Sequence, residues 1–233
     1  MSVALKVKLA LDDKTIGLVT SRLKSALGSS KLVVCLGSKL ELASFCNVEA
    51  IRDHVVGGAT TTAEAKELLN DTFADVLITV DVPEAGSGIA LAMEFRHLKT
   101  LVLTSRENND LVMEAEKAGV DGLVFRSGIG LSGEGSFLQA ISTVARGGVW
   151  LSPAVNCIVN SGADKDALAT IAELTDKERE VLTQVGRGLD NSEIAEELFI
   201  SEETCKSHLR AIRQKVGETD RVKIALLAIR AGI

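Results

Sequence analysis

Near the carboxyl end, Lys206, Ser207 and Arg210 stand with Ser201 and Thr204 in a segment, SEETCKSHLRAIRQKV, whose apolar residues keep a helical beat. Cys205, Leu209, Ile212 and Val216 recur at spacings of four, three and four. On a helix turning about 100° per residue they form one stripe that must be covered. Ser207, Arg210 and Gln214 fall on the far side, with Lys206 at its edge. Lys206 and Arg210 carry the donors that suit guanine O6 and N7 in a major groove, each good contact giving about 1–3 kcal/mol of discrimination. Ser207 is small and allows close approach. Ser201, Thr204, Lys215 and Arg221 are candidates for phosphate, which fixes register without reading sequence. Glu203 points partly outward and sits awkwardly there, because a carboxylate repels phosphate.

The elements that position these side chains are marked by caps. Thr175 and Glu178 are spaced as a capping box, so a helix is predicted from 176 to 185, stopping at Gly186 or Gly188. Asn191, or Asp190 with Glu193, caps a second helix that ends near Leu198. Phe199-Ile200-Ser201 makes a tight turn, and Ser201 caps the third helix with Glu202 and Glu203 in its first turn. A last helix over about 220 to 231, capped by Thr219, carries Val222, Ala225, Leu226 and Ile229 on one face. Two short helices joined by a tight turn, the second presenting polar and basic side chains, describe a helix-turn-helix.

Upstream, residues 31 to 146 alternate apolar runs with helical patterns. The runs KLVVCLG, HVVGGAT, ADVLITV, TLVLTS and DGLVFRS are separated by segments such as TTAEAKELLND, SGIALAMEFRHL and NNDLVMEAEKAG. Five such runs imply an α/β doubly wound parallel five-stranded sheet, with any site at the carboxyl ends of the strands. Residues 1 to 30 begin with an alternation from Val3 to Leu11 and continue with a helical stripe, predicted helical at 13–27. The expected division is an N-terminal extension (1–30), the α/β domain (31–155), a linker (156–173) and an all-α helix-turn-helix domain of four helices (174–233).

The 233 residues carry a net charge of −6, which taken whole disfavours nucleic acid, but the charge is uneven. From Lys206 onward seven Lys/Arg face two acids, giving +5 and leaving −11 on residues 1–205. No apolar run approaches the length of a membrane span and no secretion signal opens the chain, so a cytoplasmic protein with no membrane partner is expected. Cys35, Cys46, Cys157 and Cys205 lack metal-like spacing, and the histidines are scattered. No metal and no cofactor are expected. No nucleophile is paired with a base and the glycines of SGIGLSGEGS fit no phosphate loop, so no enzyme activity is expected.

Residues 174 to 233 resemble the LuxR/NarL-type DNA-binding domain, through LTDKEREVL, SEIAEELFISEETCKSHL and DRVKIALLAIRAG. The resemblance implies duplex DNA as partner and base contacts from Lys206, Ser207 and Arg210, the three that helical geometry also selects. It further implies pairing of two such domains through the last helix, at Val222, Ala225, Leu226 and Ile229. A homodimer on DNA is therefore expected, with RNA polymerase or another regulatory protein as a further partner.

The preceding segment resembles a response-regulator receiver domain, through AGVDGLVFR, VVGGATTTAEAKELL and the Thr104-Ser105 that end TLVLTS. Receiver chemistry needs an acidic pair for Mg²⁺, an Asp nucleophile, a hydroxyl and a Lys to neutralise the new phosphoryl charge. Here the first strand ends in Leu36-Gly37-Ser38 without a carboxylate, and Arg126 stands where the Lys belongs. The nucleophile position falls on Val80, with Asp81 one residue late, which along a strand points it to the opposite face. The domain reads as a degenerate receiver in which Asp81 is a surface carboxylate not used for phosphorylation. Arg126, at a strand's end, is open between an anion site, a salt bridge and a solvated side chain. The whole reads as a sequence-specific DNA-binding transcription regulator acting as a dimer. The alternatives are a conventional two-component response regulator phosphorylated at Asp81, and a protein-binding adaptor without DNA binding.

Overall fold

The computed structural model describes residues 21, 23–126, 136–159 and 165–233, apart from the side chains of Ser136, Pro153, Asn156 and Cys157. The strand-like residues 3–11, the first part of the helix expected at 13–27, the glycine-rich stretch 127–135 and the Cys157 thiol lie outside them. Strands β1 (Leu32–Cys35), β2 (Val55–Ala59), β3 (Val76–Val80), β4 (Lys99–Thr104), β5 (Gly122–Phe125) and β6 (Trp150–Leu151) form one sheet in the order β2-β1-β3-β4-β5-β6. Every neighbouring pair is parallel. The five expected strands are there, and the count is corrected to six: Trp150 and Leu151 pair with Gly122 and Leu123. Two residues are too few to show an alternation.

All residues of β1, β3 and β5 are buried, as a parallel sheet covered on both faces requires. Helices α1 (residues 23–27), α2 (Lys39–Cys46), α3 (Glu49–Arg52) and α7 (Ser136–Ala145) cover one face, with Leu23, Phe45, Ile51 and Ile141 packed on Val34, Ile78 and Leu101. Helices α4 (Thr62–Asp71), α5 (Gly88–Glu94) and α6 (Asn109–Ala118) cover the other. α4 starts in a reciprocal capping box between Thr61 and Glu64, and α6 stops at Gly119, whose φ of +74° a residue with a Cβ adopts only under strain.

The carboxyl-terminal part holds α8 (Pro153–Val159), α9 (Lys165–Ile171), α10 (Asp176–Gly186), α11 (Asn191–Glu197), α12 (Glu202–Val216) and α13 (Arg221–Arg230). α10 to α13 are the four expected helices, and α9 adds Ala167 and Ile171 to the same core. The segment read as a linker is therefore helical in two stretches. α8 joins both parts: Val155 is buried against the α6 side of the sheet, while Leu151 and Val159 pack on that cluster and on the helical core.

Polar contacts line the seam. The Val149 amide donates to the Gly188 carbonyl at 3.2 Å. Arg146 pairs with Asp190 at 3.1 Å and with Glu193, and Arg230 grips Glu116 at 2.6 and 3.1 Å. Asp121, which accepts from the Thr100 amide at 2.8 Å, is pushed up to about 6, first by burial and further by Asp220 across the seam.

Gly88 shows how tightly the third strand and its helix meet. A Cβ there would lie 1.9 Å from the Val80 carbonyl oxygen and 2.6 Å from Thr79 Oγ1. Backbone cannot yield as a flexible side chain does, so Gly88→Ala is expected to cost about 1–3 kcal/mol, read from the urea midpoint at unchanged slope.

Candidate nucleic-acid interface and receiver-like pocket

The turn before α12 is closed by Ile200, whose amide donates to Ala195 at 3.0 Å, and by Phe199 at φ +54°. Ser201 caps the helix: its Oγ accepts from the Thr204 amide at 3.0 Å and lies 2.8 Å from the Thr204 hydroxyl. Both hydroxyls remain exposed at the helix start. Asp190, not Asn191, caps α11, in a reciprocal box with Glu193. Asp220, not Thr219, caps α13.

Cys205, Leu209 and Ile212 are buried, and Lys206, Ser207 and Arg210 are exposed on the outer side of α12. Lys206 Nζ lies 2.9 Å from Glu202 Oε1 one turn earlier, and this carboxylate holds the ammonium's pKa above its ordinary value. The cation is thus tethered at the edge of the outward face.

Two of the expected phosphate contacts are engaged inside the domain. Lys215 Nζ lies 2.7 Å from the buried Glu178, tying the end of α12 to the start of α10. Lys215, followed by the Thr175 amide, holds the Glu178 carboxyl below the usual range. Arg221 donates to Asn191 Oδ1 at 2.9 Å and to the Leu189 carbonyl at 2.7 Å, and burial lowers its pKa. The Arg221 guanidinium is half-buried against these acceptors, whereas the Lys215 side chain stays exposed along its length with its ammonium held by Glu178. A charge in a first or last turn looks the same in sequence whether it faces water or a neighbouring helix.

Val222, Ala225, Leu226 and Ile229, the residues expected to pair two chains, are all buried within this one. Ile224 and Ala228 on the other side of α13 are buried too, so the helix is enclosed by α10 on one side and by α8 and α9 on the other.

The carboxyl ends of the strands form a cleft of about 290 Å³ lined by Gly37, Ser38, Glu41, Asp81, Arg106 and Arg126, among others. Asp81 is not a surface carboxylate. It is 8 % exposed and lies 2.8 Å from Arg106 Nε. β3 ends at Val80, so Asp81 is released from the strand's alternation and reaches the cleft rather than the opposite face. Arg106 also reaches Glu114 on α6 at 3.2 Å, and its amide donates to Thr104 Oγ1 at 2.9 Å. Arg126 grips Glu41 at 2.9 and 3.4 Å, which settles it as a salt bridge. This arginine holds the Glu41 carboxyl below its ordinary pKa. Sequence reasoning missed Glu41 and Arg106, because the first comes from a helix and the second lies two residues beyond a strand.

Residues 172–228 match the model of the family described as bacterial regulatory proteins, luxR family. The chain is 30% identical over 187 residues to the transcriptional regulatory protein LnrK of Bacillus subtilis, an alignment covering 76% of this chain and 83% of that protein. The chain belongs to the LuxR family of bacterial regulatory proteins. This LuxR-family chain is also 31% identical over 182 residues to the nitrate/nitrite response regulator protein NarP of Escherichia coli, covering 74% of it and 81% of that protein. To the DNA-binding transcriptional activator DevR/DosR of Mycobacterium tuberculosis it is 29% identical over 183 residues, covering 75% and 81%. Within the family it falls among the response regulators, with a receiver-like domain ahead of the helix-turn-helix.

Lys215→Ala leaves the buried Glu178 without its cation and is expected to cost about 1–3 kcal/mol at pH 7. Glu178 has a depressed folded pKa, so the stabilisation is complete above the ordinary glutamate value of about 4.3 and is lost as pH falls through the folded value. Thermal melts of both proteins should converge below that pH.

Proposed function

We propose that this chain is a transcription regulator that reads specific duplex DNA as a dimer, and that phosphorylation of Asp81 does not control it. The observation that carries the first part is the row of exposed polar and basic side chains on α12, directly opposite its buried stripe. Its relatives, a transcriptional regulatory protein and a DNA-binding transcriptional activator, favour the same reading. Lys206 and Arg210 address guanine edges, Ser207 allows close approach, and Ser201 and Thr204 hold phosphate at the helix start. Two copies would place two α12 helices at half-sites about one helical turn apart. Their contact lies outside Val222, Ala225, Leu226 and Ile229, which each chain buries for itself.

The second part rests on the cleft. A phosphoryl acceptor needs a free carboxylate beside a hydrated Mg²⁺. Asp81 and Glu41 each already hold an arginine, and the Thr104 hydroxyl accepts from the Arg106 amide. Among the described residues no helix is long and apolar enough to cross a membrane.

Lys206→Ala combined with Arg210→Ala is expected to abolish the preference for the selected site over random duplex, a loss of about 2–6 kcal/mol of discrimination. Titration of a labelled duplex at two salt concentrations measures it, and intact specificity would sink these roles. Incubation with acetyl phosphate and Mg²⁺ is expected to leave no acid-labile adduct on Asp81. Mass spectrometry that finds one restores the conventional response regulator.

A further inference from the structure

Two glutamates open α12, and they are placed differently. Glu202 is paired with Lys206 at 2.9 Å. Glu203 is exposed and makes no hydrogen bond or ion pair among the described residues, acting on Lys206 only through its field. Its position is regular. The apolar stripe runs 205, 209, 212, 216, and Glu203, Ser207, Arg210 and Gln214 repeat that four, three, four spacing two residues earlier. At about 100° per residue this second row lies on the side opposite the stripe, with Glu203 at its amino-terminal end. All four of its side chains are exposed.

In a helix-turn-helix the amino-terminal residues of the second helix reach the base edges. A carboxylate there is repelled by the phosphates on either side. Helix-dipole stabilisation, about 0.3–1 kcal/mol, is already available from Glu202 without a charge on the reading row. An ionised carboxylate only accepts hydrogen bonds. The major groove offers it two donors, cytosine N4 and adenine N6, and adenine places the acceptor N7 beside its donor, where it repels a carboxylate.

Resting on the DNA-reading assignment above, we infer that Glu203 is a specificity-determining residue that accepts a hydrogen bond from the N4 amino group of a cytosine. It extends to a third base the guanine reading assigned to Lys206 and Arg210. The row then carries an acceptor at one end and a donor in the middle, so a wrong base at the Glu203 position meets charge repulsion rather than a missing contact. A negative charge on the reading row also weakens adhesion to unrelated duplex.

Selection of sites from a random duplex pool by the full chain, with wild type, Glu203→Ala and Glu203→Gln run side by side, tests this. Wild type is expected to select cytosine at one position of each half-site, by about 5–150-fold over thymine. Glu203→Ala should lose that preference and keep the guanines. Glu203→Gln should move it to adenine, whose N6 and N7 a carboxamide engages together. Thermal melts within about 0.5 kcal/mol of wild type show that the exposed variants are folded. Unchanged base preferences with uniformly tighter binding would mean that Glu203 merely repels phosphate, and the inference fails. A uniform loss at every position would make it a helix-stabilising residue, and the inference fails again. Wild type selecting no sequence at all is a different result, one that removes the DNA-reading assignment itself.

Discussion

Burial of Cys205, Leu209 and Ile212 against α10 and α11 fixes the rotation of α12 about its own axis, and the outward row depends on it. A turn of one residue, about 100°, would carry Lys206 into the core and Cys205 into water. Each large apolar side chain so buried contributes about 1.5–3 kcal/mol, and an unpaired charge beneath the domain would cost more. Caps fix the helix along its length: Ser201 at its start, and the boxes at Thr175 and Asp190 for the helices it packs on. The Lys215–Glu178 pair pins its far end. Side chains that read DNA need this rigidity, since a base edge is recognised only within hydrogen-bond tolerance.

The cleft of the α/β domain obeys a different constraint. Where a phosphorylated site keeps carboxylates free and gathers counter-charge on demand, here each acid has a resident arginine. These pairs cross-link segments at the carboxyl ends of the strands: Arg126 after β5 reaches Glu41 on α2, across the ends of β3 and β4, and Arg106 after β4 reaches Asp81 after the neighbouring β3 and Glu114 on α6. Their arginines are partly exposed, so each contributes at most about 1 kcal/mol to stability. What they supply is a fixed set of distances across the ends of the sheet.

The parts legible in the sequence were those where periodicity and caps speak together. The five long strands, the Thr175/Glu178 box and the stripe on α12 are readable because each residue type agrees with its neighbours. The parts that were not legible depend on contacts between distant segments. Lys215 and Arg221 look like phosphate ligands until Glu178, Asn191 and Leu189 are folded beside them, between 30 and 37 residues away. Asp81 was placed by strand alternation, which ceases to apply where β3 ends at Val80. The apolar face of α13 is equally consistent with a partner chain and with a home core, and only the position of α8 and α9 distinguishes them.

α8 makes the junction between the two parts a packed solid rather than a tether. Leu151 and Val159 belong to the cores on both sides, so the angle between the sheet and the helix-turn-helix is set by side-chain fit and not by the length of intervening chain. Swinging one part away would open two hydrophobic clusters in the same movement and break the Arg146 and Arg230 ion pairs with them. A junction packed in this way favours discrete arrangements of the two parts over a continuous swing.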